Sequence, residues 1–182
     1  MNRLLFLLLV ALMPSAGRSQ QSCLGPSPVL LTEARIGSLA TRLPLDSIRS
    51  RCPRARRTTA PSYESVWPAL EVSVGELHVL AVQYSDSIDF SQPADAWWIK
   101  GCGARLPGGV STCATWSDLT RVHGSSGSGS TEFGPANVRL DKLPGFAFEL
   151  DVRDVDVGSL EVAPDLRAVP GKARIVLVFL GR

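Results

Sequence analysis

Five arginines, Arg49, Arg51, Arg54, Arg56 and Arg57, fall within one short stretch of this 182-residue chain. A guanidinium fork grips carboxylates and phosphates through paired hydrogen bonds. The stretch is therefore a candidate site for an acidic partner protein, lipopolysaccharide or anionic lipid headgroups. The bland alternative is a solvated helix end in a chain that carries far more arginine than lysine. Trp97 and Trp98 form a second candidate. Neighbours in a strand face opposite sides, so one ring enters the core and the other is free to anchor a sugar or a partner. The four cysteines, Cys23, Cys52, Cys102 and Cys113, are an even set that reads as two disulfides in an oxidising compartment. Three pairings exist. The favoured one closes the short Cys102–Cys113 loop and leaves Cys23 for Cys52. No Cys-x-x-Cys spacing is present, which argues against zinc.

The remaining reactive groups assemble no reaction. The histidines are His78, in the middle of an apolar strand pattern, and His123, at the end of a helix pattern. A Cys113–His123 dyad needs a free thiol, and no Gly-x-Ser-x-Gly elbow marks a serine nucleophile. Gly124 to Thr131 nearly spells a phosphate-binding loop, but Ser130 stands where the lysine is required. Glu149, Asp151, Asp154, Asp156 and Glu161 make an acidic run without calcium-loop spacing, so solvated charge is the better reading. No catalytic, cofactor-binding or metal-ligating residue is assigned, and the expectation is a protein that is not an enzyme.

Residues 1–19 have the three parts of a secretory leader: Arg3, the apolar run Leu4 to Met13, and a small-residue stretch ending near Gly17 or Ser19. The run is shorter than the roughly 20 residues a spanning helix needs, so no transmembrane span is expected in the mature chain. Without Arg3 and Arg18, 17 basic groups balance 17 acidic ones. The basic excess sits before residue 66 and the acidic excess after it, which argues against bulk nucleic-acid binding. The expectation is an exported protein, periplasmic or secreted.

Elements must then position these groups. Gly37 to Pro53 is echoed from Gly108 to Gly124, with Thr41 matching Thr112, Leu45 matching Trp116 and Ile48 matching Leu119. Each copy predicts a turn, a short extended piece and a helix of about two turns. In the first helix Leu45, Ile48 and Cys52 share a face; in the second Thr115 and Asp118 have capping-box spacing. Alternation over Trp67 to Val74 and Leu77 to Tyr84, turned at Gly75, predicts an antiparallel hairpin. Val29 to Leu31, Ala96 to Lys100, Asn137 to Leu140 and Phe146 to Val152 read as further strands. Ile175 to Leu180 reads as a central strand buried on both faces. Arg54 to Tyr63 is taken as a polar connector, Ser85 to Pro93 as a loop, and Gly124 to Ser130 as a flexible loop.

A glycine, a short helix ending at Pro or Gly, and a hairpin with a Trp, given twice over residues 36–150, resembles the repeats of beta-lactamase-inhibitor protein and of the small outer-membrane lipoproteins of the barrel-assembly machinery. The resemblance implies an exported helix-plus-sheet protein that works by binding other proteins. It carries over no functional residue. This chain departs from it in having cysteines at both helices, and Gln20, Gln21 and Ser22 before Cys23 do not form a lipobox. The expected class is α+β, with two helix-plus-β-hairpin repeats sharing an antiparallel sheet. Repeat one spans about 29–84, repeat two about 96–153, and a C-terminal strand 173–181, in a single domain over 20–182. The expected function is a non-catalytic protein-binding module, the alternative an envelope structural factor held on an anionic surface by the Arg-rich edge.

Overall fold

The period-two patterns fold as strands, and the computed structural model describes residues 22–61, 65–130, 136–152, 166 and 169–181. The leader lies outside them, as do Asp154, Asp156 and Glu161. In chain order the elements are β1 (Val29–Thr32), β2 (Arg35–Ile36), β3 (Leu39–Ala40), α1 (Leu45–Arg51), β4 (Arg56–Pro61), β5 (Val66–Val74), β6 (Leu77–Val82), β7 (Ala96–Lys100), β8 (Ala104–Arg105), α2 (Trp116–His123), β9 (Gly127–Ser130), β10 (Ala136–Leu140), β11 (Phe146–Asp151) and β12 (Arg174–Gly181). The class is mixed α+β with sheet predominating.

Eight strands form one sheet in the order β4-β5-β6-β7-β12-β11-β10-β9, every pair antiparallel. The four strands after α1 thus occupy one half in sequence order. The four after α2 occupy the other half in reverse order, and β7 meets β12 at the centre. A smaller sheet, β3-β2-β1-β8, includes one parallel pair, β1 with β8.

Alternation sends Leu70, Val72, Val79, Trp97, Ile99, Phe148, Leu150, Val178 and Leu180 to one face of the large sheet. There they pack in a single cluster with Leu45 and Ile48 of α1, Trp116 and Leu119 of α2, and Val29, Leu31 and Ile36 of the small sheet. The opposite face carries a separate, smaller cluster. Burying this many apolar side chains at about 1.5–3 kcal/mol each is what drives the sheet and helices together.

Helix starts follow local chemistry. In α2 the Thr115 hydroxyl accepts from the Asp118 N–H and the Asp118 carboxylate accepts from the Thr115 N–H, both at 3.3 Å, a complete capping box. In α1 Pro44 is the N-cap residue and offers no side-chain cap, so the cap comes from afar. The N–H groups of Leu45 and Asp46 donate to the carbonyls of Gln92 and Phe90, each at 3.0 Å. Disulfides join Cys23 to Cys52 and Cys102 to Cys113, with Cα separations of 5.3 and 5.2 Å. They are the favoured pairing and fit maturation in an oxidising compartment. Among the described residues no helix is long and apolar enough to cross a membrane.

Three expectations need correction. Residues Arg56 to Pro61 are not a connector but edge strand β4; its arginines and Pro61 mark an edge that resists further strand pairing. Residues Gly127 to Ser130 are not a flexible loop but edge strand β9. Glycine is needed there for approach rather than for mobility: a Cβ at Gly127 would lie 1.9 Å from the Arg139 carbonyl oxygen. Finally, β12 is central as expected but buried fully on its helix side only, with Leu177 and Phe179 half-buried on the other.

Candidate functional site

The five arginines are divided between two sides of the sheet edge. Arg49 and Arg51 end α1, Arg54 lies in the following turn, and Arg56 and Arg57 open β4. Register pairs Arg56 with Glu71 and Arg57 with Leu70, so the two adjacent guanidiniums part company. Arg57 goes to the helix side, where its guanidinium lies 4.4 Å from the centre of the Phe90 ring and that of Arg49 lies 5.2 Å away. Phe90 is placed by Gln83, buried at 4 % exposure. The Gln83 amide donates to the Asp89 and Pro93 carbonyls at 2.8 and 3.2 Å and accepts from the Asp89 N–H at 2.7 Å. Residues 85–93 thereby form a fixed loop that caps α1 and offers Phe90 to two cations.

Arg56 goes the other way. Its Nε donates to Glu71 Oε2 at 2.8 Å, while Glu71 Oε1 accepts from Ser73 Oγ at 2.9 Å and from His78 Nδ1 at 2.8 Å. Glu71 is nearly buried, and the Arg56 hydrogen bond, followed by the one from His78, holds its carboxyl at about 2, far below 4.5. Serine, histidine and glutamate in one cluster invite a hydrolytic reading, but the geometry is not a relay. A relay places the carboxylate on one imidazole nitrogen and the serine on the other. Here both meet Nδ1, with Ser73 Oγ 3.1 Å from it. Since the folded state binds the Glu71 proton more weakly than the unfolded chain, this network's stabilisation is complete above about pH 4.5 and is lost as pH falls toward 2. Acid titration of the unfolding midpoint is expected to lose that component in Glu71→Gln, which should already be less stable at pH 7 by about 1–3 kcal/mol.

Neither tryptophan is an exposed anchor. Trp97 is 2 % exposed and donates its indole N–H to the Thr41 carbonyl at 3.1 Å; Trp98 is 9 % exposed on the opposite face. The neighbours across β6 and β12 cover it: Leu80 and Phe179 stand directly opposite, with Phe179 edge-on at 5.4 Å. The Trp98 indole N–H is buried with no acceptor among the described residues. The Cys113 sulfur is spent in its disulfide, and His123 Nε2 lies 3.0 Å from the Pro107 carbonyl oxygen, so no Cys113–His123 dyad forms.

What the sequence reading missed is the face itself. Three rows cross the side of the sheet away from both helices. One runs Arg56, Glu71, Leu80, Trp98, Phe179, Ala147. A polar row beside it runs Ser73, His78, Lys100, Leu177, Glu149, Asn137, Ser130. On the other side lies a row of small residues: Thr58, Ala69, Val82, Ala96, Gly181. Trp67 and Tyr84 extend the aromatic surface, their rings 5.4 Å apart and edge-on. Alternation at Trp67, Leu80 and Phe179 was the available signal. It could not be assembled without the strand order.

No protein-family model matches the chain, and no curated protein matches it. Among solved structures it is similar to the crystal structure of the uncharacterized protein yfeY from Escherichia coli, at 14 % identity and a TM-score of 0.55. The match covers 85 % of this chain and 99 % of that one. At that identity the likeness is one of fold.

Proposed function

We propose that this chain is an exported, non-catalytic protein-binding module whose recognition surface is the helix-free face of the eight-stranded sheet. One observation carries the reading. Trp67, Leu80, Trp98, Leu177 and Phe179 form an apolar cluster on that face, and no described element packs over it. Aromatic and aliphatic anchors ringed by polar groups are the usual make-up of a protein-binding patch. The leader-like residues 1–19 and the two disulfides support export to the periplasm or beyond. The reading of two repeats is supported by each helix preceding four sheet strands. It is supported too by Leu45 and Trp116, which matched in the sequence and each open a helix.

A second reading, attachment to an anionic envelope surface, is favoured by Arg49 and Arg57 converging on Phe90. One comparison separates the two. If the sheet face is the binding surface, the paired change Leu80→Asp and Phe179→Asp abolishes capture of a partner from the exported fraction, whereas Arg49→Ser with Arg57→Ser leaves it intact. Salt-sensitive cosedimentation with phosphatidylglycerol vesicles, lost only in the arginine variant, is the opposite outcome and favours the envelope reading.

A further inference from the structure

The sheet face is not uniform: between its small-residue row and the end formed by β9 and β10 lies a groove of about 610 Å³. Its floor includes Ala96 and Gly181, its walls Tyr84 and Phe179, and its far end Arg139 and Asn137. The volume is that of a site for a few side chains or a small ligand. Two features of the groove ask for a particular occupant. Arg139 is exposed, faces Ser128 across the β9–β10 pair, and has no carboxylate partner among the described residues. Tyr84 and Phe179 leave an apolar slot above a floor that lacks side chains of any size.

We infer that this groove receives an acidic, extended segment of the partner protein, with a carboxylate on Arg139 and an apolar side chain seated over Ala96 and Gly181 between the two rings. The inference rests on the sheet face being the recognition surface and deepens it by giving the partner's chemistry. A planar guanidinium with no carboxylate partner among the described residues takes a carboxylate in a two-pronged geometry, and the neighbouring apolar slot confers selectivity that charge alone does not.

The test uses the full exported chain with its disulfides formed, panned against a random displayed-peptide library. Selected peptides are expected to be enriched in Asp or Glu close to an aromatic or large aliphatic residue. Arg139→Glu should shift selection toward Lys and Arg. Gly181→Trp fills the groove, and a Cβ at Gly181 meets nothing within 4 Å, so the variant should fold as before by near-ultraviolet circular dichroism. It should weaken the selected peptides at least tenfold. Peptides without acidic preference, or bound equally by Gly181→Trp, would overturn the inference while leaving the sheet-face reading standing. Sedimentation showing a dimer that Gly181→Trp converts to monomer would overturn it as well, by giving the groove to a second copy.

Discussion

A chain ending at Ala173, without β12, is expected not to fold. Strand β12 sits between β7 and β11, and its loss leaves the two halves of the large sheet with no shared hydrogen bonds. Ile175, Val178 and Leu180, at 4 %, 0 % and 2 % exposure, are core members. At about 1.5–3 kcal/mol per side chain they amount to roughly 5–9 kcal/mol. A domain of this kind has only about 5–15 kcal/mol of net stability. The truncated chain should show no cooperative thermal transition and no dispersed amide spectrum. A sharp melt within a few degrees of the full chain would contradict the central placement of β12.

The second large effect is expected from the Cys23–Cys52 bridge. It ties the segment ahead of β1 to the end of α1 across a sequence separation of 29 residues. On the chain-entropy estimate, closing such a loop is worth about 3–4 kcal/mol, against about 3 kcal/mol for the shorter Cys102–Cys113 loop. Cys52 is also 2 % exposed and packs in the main cluster, so replacing it with serine buries a hydroxyl in an apolar setting. Cys23→Ser with Cys52→Ser should lower the urea midpoint more than Cys102→Ser with Cys113→Ser, and reductant should reproduce the sum. An unchanged midpoint in the first pair would mean the bridge constrains nothing that the core does not already hold.

Much of this was legible in the residues because the signals were local. Thr115 and Asp118 are three apart and complete their own cap. Gly75 and Glu76 turn a hairpin whose strands alternate cleanly, and the cysteine pairing followed from loop length. What stayed hidden depends on partners distant in sequence. Arg56 looks like one charge in a run until β4 pairs with β5 and sets it opposite Glu71. Gly127 looks like part of a linker until β10 approaches so closely that a side chain is excluded there. One of Trp97 and Trp98 reads as an exposed anchor because alternation tells which face a residue occupies. It does not tell how far Leu80 and Phe179, from strands on either side, cover Trp98. The helix-free face is a product of strand order, and strand order is not a property of any one stretch.

The most direct measurement of that face is site-specific photo-crosslinking in the cell that produces the chain. A photoreactive residue is placed in turn at Leu80 and Phe179 on the helix-free side, and at Ser117 and Val122 on α2. The account predicts one discrete protein adduct from Leu80 and Phe179, diminished by Gly181→Trp, and none from the α2 positions. Adducts from Ser117 and Val122, with the sheet positions silent, would contradict it.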